Sequence, residues 1–221
     1  MPSTRSTENA DRRLRLPSPY DAVVIGVSAG GLQTLKVILP SLPAGFPLPL
    51  AIVQHQSPDA DGFLVNYLDG ISALHVKEAE DKEPLTPGHA YFAPAGYHLL
   101  IELDRCFSLS VDDRVNFARP SADVLFESAA EVYGEALIGI VLTGANADGA
   151  QGLRAIKARG GLAIVQSPRT AEIGTMPQAA IAATKVDHIC DLAMIAPLLC
   201  RICQEEEAAA GFPRQASGRV Q

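Results

Sequence analysis

Four short apolar runs, each followed by a turn, constrain this chain more than any other feature of it. Residues 22–26 (AVVIG), Leu50–Gln54 (LAIVQ), 136–142 (ALIGIVL) and Leu162–Gln166 (LAIVQ) have strand length and are rich in β-branched residues. Helical spacing follows them. Leu32, Leu35, Ile38 and Leu39 recur at helical intervals after the first run, and 61–71 places Phe63, Leu64, Tyr67 and Leu68 on one face after the second. A helix over 150–159 follows the third, and Pro177 can open a short one after the fourth. Strands without polar alternation are buried on both faces, and strands separated by helices pair in parallel through crossovers. The prediction is an α/β fold: a doubly wound, mainly parallel sheet with helices on both faces.

Smaller pieces complete the pattern. Residues 90–93 read as a strand, and 99–103 with 106–110 as an antiparallel hairpin across Asp104-Arg105. Ser121, after Pro120, is placed to cap a helix running to Tyr133, and 192–203 is a final amphipathic helix. A composition of 48% hydrophobic and 19% charged residues supports one core, assigned to 20–204. Residues 1–19, with Arg12, Arg13 and Arg15, and residues 205–221 read as flexible tails.

Composition also excludes partners. Lys and Arg number 18 against 25 Asp and Glu, a net charge of −7, which disfavours nucleic acid. Aromatics are 5% and Trp is absent, so no stacking platform for single strands is expected. No run approaches the roughly 18 apolar residues of a membrane span, and the first residues lack a signal-peptide core. A cytoplasmic protein without membrane insertion is expected. Four cysteines do not make a disulfide framework in a chain of 221 residues. Cys200 and Cys203 fall inside a predicted helix as buried structural thiols, and the other histidines lie scattered, so neither metal nor cofactor is inferred.

In open parallel sheets, ligands sit beyond the carboxyl ends of the strands. After the first run stands Gly26-Val27-Ser28-Ala29-Gly30-Gly31. Its G-x-S-x-G pattern matches a turn that presents a nucleophilic serine, and a Gly-rich loop of this kind also cradles phosphates. Taken alone, the turn leaves both readings open. After the second run stands His55, next to Gln54 on what should be the adjacent strand. A serine needs such a base to take its proton. After the third run stands Thr143-Gly144-Ala145-Asn146-Ala147-Asp148. Asp148 can cap the next helix or orient His55, and the loop's N–H groups can serve an oxyanion. The order Ser, His, Asp differs from that of α/β-hydrolases.

Several separated motifs now coincide: IGVSAGG, IVQHQSPDADGF, VKEAEDKEPLTPGHAYFAPAGYH, ARPSADVLFESAA, IGIVLTGANADGAQGL and GTMPQAA. Together they resemble the catalytic domain of the chemotaxis receptor methylesterases, also called protein-glutamate methylesterases, from about residue 21 to 203. The resemblance implies hydrolysis of glutamate γ-methyl esters on methyl-accepting chemoreceptors, and in many members deamidation of receptor glutamines. It implies a triad of Ser28, His55 and Asp148, with oxyanion donors at the backbone of Ala29 and Ala145. It names the receptor's cytoplasmic helical region as partner, with a receptor methyltransferase or a separate regulator as further partners. Full-length members usually begin with a receiver domain; 21 residues precede Ala22 here, so none is expected. The family's loop usually carries Met and Gly before the Asp, where this chain reads Ala145-Asn146-Ala147. That departure keeps open a second function, a non-hydrolysing module that docks receptors or a methyltransferase. Arg119 reads either as a contact for acidic groups beside the substrate glutamate or as a surface salt bridge. Met176 reads either as a lining of the site or as ordinary core.

Overall fold

The computed structural model describes residues 18–57 and 62–210, with side chains through residue 203. Its elements are β1 (Ala22–Val27), α1 (Gly31–Ile38), β2 (Leu50–Gln54), α2 (Phe63–Asp69), β3 (His75–Glu78), β4 (His89–Phe92), β5 (His98–Ile101) and β6 (Phe107–Ser110). There follow α3 (Ala122–Tyr133), β7 (Leu137–Val141), α4 (Ala150–Ala158), β8 (Leu162–Gln166), α5 (Thr175–Ala183), β9 (His188–Cys190) and α6 (Leu192–Ala210). Seven strands form one sheet in the order β3-β4-β2-β1-β7-β8-β9, and β5 pairs with β6 apart from it. Every pairing in the large sheet is parallel, and β5–β6 is antiparallel. The doubly wound sheet and the small hairpin are those the sequence predicts.

The period of two along each strand sorts side chains onto opposite faces. Val23, Ile25 and Val27 of β1 join Leu35 and Ile38 of α1, Leu68 of α2 and Leu199 of α6 in one core layer. Ala22 and Val24 join Phe126 of α3, Leu153 and Ile156 of α4 and Met176 of α5 in the other, beneath the hairpin. Both layers are dry, which explains why the central strands carry no polar alternation.

Gly26 sets the spacing at one critical point. A Cβ there would lie 2.7 Å from the Ala122 Cβ. Its absence lets the first turn of α3 press against the end of β1. The chain leaves β1 toward β2 on one side and returns as β7 on the other, so the switch point of the sheet lies between β1 and β7. This is where an open parallel sheet has its crevice.

Some expectations need amendment. β3 and β9 are strands that the apolar pattern does not reveal; each is short, edge-lying and opens on a histidine. α6 continues to Ala210, past the residue-203 end given by its amphipathic pattern. Of the expected tails, residues 1–17 and 211–221 lie outside the described residues, as does Asp61 at the expected start of α2. Among the described residues, no helix is long and apolar enough to cross a membrane.

Candidate active site

The parallel register pairs Val27 with Gln54, so Ser28 and His55 follow side by side at the ends of β1 and β2. The His55 N–H donates to the Val27 carbonyl at 3.0 Å and fixes that juxtaposition. Across the switch point, the Ser28 N–H donates to the Thr143 carbonyl at 2.9 Å, which joins the loop after β1 to the loop after β7. Gln54, at the end of β2, reaches both partners: its Nε2 donates to the carbonyl of Ser28 at 3.1 Å and to that of His55 at 2.7 Å. Ser28, His55, Gln54 and Glu172 share one open hollow.

His55 Nε2 lies 2.7 Å from Asp148 Oδ2. An ionised carboxylate only accepts, so Nε2 carries the proton in that bond. Asp148 is fully buried, while the His55 side chain is 13% exposed and reaches solvent. Among the described residues the Ser28 hydroxyl makes no hydrogen bond. The imidazole–carboxylate half of the array is therefore closed and the hydroxyl–imidazole half open, as is common before substrate binds.

Asp148 does not cap α4, whose N-cap position is taken by Gly149 in left-handed conformation. It instead receives the N-terminus of α3. The Ala122 N–H donates to Oδ2 at 2.6 Å and the Asp123 N–H to Oδ1 at 3.2 Å. Ser121 occupies the N-cap position of α3 but makes no capping bond; its hydroxyl donates to Asp148 Oδ1 at 2.7 Å. The Asn116 amide donates to the same oxygen at 2.9 Å. Burial alone would push Asp148 up, but the bonds from His55, Ser121, Asn116 and the Ala122 N–H outweigh it and hold the carboxyl down at about 2. The two sequence readings of Asp148 thus merge: the carboxylate caps a helix, but α3 rather than α4, and still meets the histidine.

Ala29 lines the hollow after β1, and Ala145 stands on the loop after β7. Among the described residues, neither N–H has a hydrogen-bond acceptor, and Ala145 is exposed. Two other N–H groups of the Gly-rich turn are already engaged: Ser28 with Thr143, and Gly31 with the Ser28 carbonyl at 2.9 Å.

Arg119 forms no salt bridge among the described residues. Its guanidinium donates to the carbonyls of Val111 at 2.6 Å and Asp112 at 2.9 Å and folds the loop onto itself. It nevertheless lines a second hollow on the other side of His55, with Arg114, Asn116 and Phe117. Met176 is fully buried at the start of α5, and its N–H donates to the Gly144 carbonyl at 3.0 Å. It lies beneath the Thr143–Asp148 loop rather than in the hollow. Cys200 and Cys203 are half-buried free thiols on α6, with burial pushing Cys203 up to about 11. The described residues contain no cluster of His, Cys, Asp and Glu suited to a metal.

Three positions escape sequence reasoning. Gln54 and Asn116 act through partners brought near only by folding. His98 is buried, accepts from the Ser121 N–H at 3.2 Å and donates to the Asp113 carbonyl at 3.0 Å, tying the 111–120 loop to α3. The VNFARPSAD stretch places Asn116, Ser121 and Asp123 close together and is the only sequence signal for two of them.

A hydroxyl, an imidazole and a buried carboxylate gathered at the switch point of a parallel sheet have the makeup of a serine hydrolase. The chain belongs to the CheB methylesterase family, whose sequence model matches residues 23–199. A Leptospira interrogans protein, provisionally named a protein-glutamate methylesterase/protein-glutamine glutaminase, is 55% identical over 84% of this chain and 96% of its own length. The protein of the same double name from Halalkalibacterium halodurans is 36% identical over 92% of this chain and 60% of its own. The crystal structure of the Thermotoga maritima CheB methylesterase catalytic domain superposes with a TM-score of 0.80 at 36% identity, covering 83% of this chain and 98% of that one.

Proposed function

We propose that the protein hydrolyses γ-methyl esters of glutamate residues on the cytoplasmic helical region of methyl-accepting chemoreceptors, with Ser28 as nucleophile. Asp148 holds the His55 Nε2 proton, which leaves Nδ1 as the base for the Ser28 hydroxyl. Nδ1 takes the Ser28 proton as Oγ attacks the γ-carbonyl carbon. The N–H groups of Ala29 and Ala145 receive the negative charge on the carbonyl oxygen. His55 returns the proton to the departing methoxide, which leaves as methanol. Water then attacks the acyl-serine, giving its proton to His55, and Ser28 leaves with that proton while the substrate becomes a free glutamate.

A receptor glutamine enters the same sequence with ammonia as leaving group, in keeping with the double name of the relatives. A receptor methyltransferase or a separate regulator fits as a further partner, and the cytoplasm is where these meet. The observation that carries the reading is the His55–Asp148 bond beside Ser28 in a chain of this family. The rival reading, a docking module without turnover, has no structural feature in its favour.

Methanol release from a methylated receptor, measured for wild type and Ser28→Ala, tests the proposal. Release by wild type and none above background by a folded Ser28→Ala supports it. Equal release by both overturns the nucleophile assignment.

A further inference from the structure

Resting on that reading, we propose that Asn116 is a positioning residue, whose single amide nitrogen holds the Asp148 carboxylate in register with His55 by bridging it to the buried carboxylate of Asp123. Asn116 Nδ2 donates to Asp148 Oδ1 at 2.9 Å and to Asp123 Oδ2 at 2.8 Å. Only an NH₂ group can satisfy two acceptors at once in this place, so the orientation of the amide follows from its neighbours. Asp123 is otherwise held from the α4 side, with the Gly152 N–H donating to Oδ1 at 2.7 Å. The two carboxylates are thus linked through one side chain that belongs to neither helix.

The backbone supports the role. Asn116 has a φ of 51°, a left-handed conformation that Asn tolerates better than other side-chain-bearing residues. The Val115 and Ala118 backbones bond each other across it, at 3.1 and 2.9 Å, which closes a tight turn around Asn116 and Phe117. That turn lines the hollow beside His55. A polypeptide settling on the loop therefore presses on the residue that holds Asp148. The ionisable groups around the bridge are Asp123 and Glu127 on α3, Asp148 before α4, His55 after β2, His98 on β5, and Arg114 and Arg119 on the loop itself.

Asn116→Asp keeps the shape and the left-handed preference but replaces the donor with a third acid. Asn116→Gly removes the amide without backbone strain. Both are compared with wild type by kcat, KM, the pH profile of kcat, and the nitrogen-bound ring-proton resonance of His55, assigned with His55→Gln. The expectation is a kcat lower by about tenfold or more, with KM little changed. The Asn116→Asp deficit should deepen as pH rises, and the His55 resonance should shift or broaden in both variants. Folded variants with unchanged kcat and an unchanged resonance overturn the inference. A shifted resonance in a protein whose wild type releases no methanol retains the positioning of Asp148 and discards the esterase reading instead.

Discussion

The carboxylate of Asp148 bonds His55 Nε2 and the Ala122 N–H through the same oxygen, at 2.7 and 2.6 Å. One atom thus joins the candidate base to the first turn of α3. The helix's N-terminal dipole favours a negative charge there, and so would an imidazolium at His55 in the proposed reaction. The histidine's partner is consequently fixed by the architecture as well as by its side-chain neighbours.

This arrangement gives the acid stability of the domain a defined signature. Its hydrogen bonds hold the Asp148 carboxyl at about 2 in the folded protein, below the ordinary aspartate value of about 3.9, so its stabilising contribution is fully present above the ordinary value and is lost as pH falls toward the lowered one. The difference corresponds to about 2 kcal/mol. Asp123 acts in the opposite sense, because burial pushes its carboxyl up and protonation relieves that cost. Denaturant melts at pH 5 and pH 2 should show wild type losing about 2 kcal/mol more than Asp148→Asn. Equal losses in the two proteins would remove Asp148 from this role.

Gly144 separates Ser28 from the Met176 side chain. A Cβ on it would collide with the Met176 thioether and lie 2.9 Å from the Ser28 Cβ. Gly144→Ala should lower methanol release by about 10²-fold through displacement of Ser28. Adding Met176→Ala relieves the thioether collision but not the one with Ser28, so the rate should stay low. Full recovery in the double variant would show that Ser28 was never displaced.

Phe117 is 96% exposed on the loop beside His55, with Val111 and Val115 also exposed along the same segment. An uncovered ring at that place suits contact with a large substrate. Phe117→Ser should leave stability within about 0.5 kcal/mol of wild type. It should raise KM for a methylated receptor several-fold and leave hydrolysis of a small methyl ester unchanged. A receptor KM equal to that of wild type contradicts this role for the loop.

Much of this was legible in the residues. The dry strands of the central sheet announce themselves by unbroken apolar runs, and the ends of those runs locate Ser28, His55 and the Thr143–Asp148 loop. The edge strands were not legible, because His75–Glu78 and His188–Cys190 are short and half-exposed and carry no apolar run. Nor was the capping geometry. Ser121 has the residue type of an N-cap, but its hydroxyl turns to a carboxylate 27 positions away, a partner that no local pattern reveals. Gln54 and Asn116 are hidden for the same reason, since an amide's role is set by the groups folding brings to it.

The double duty of Asp148 changes how sequences of this fold should be interpreted. A chain that had given up turnover would still need an acceptor at this position to hold α3, so an aspartate here is demanded by architecture whether or not the protein hydrolyses anything. Ser28 carries no comparable structural obligation, because its hydroxyl makes no hydrogen bond among the described residues, whereas the His55 ring also serves the buried carboxylate. The serine is therefore the better guide to whether a given homologue turns over.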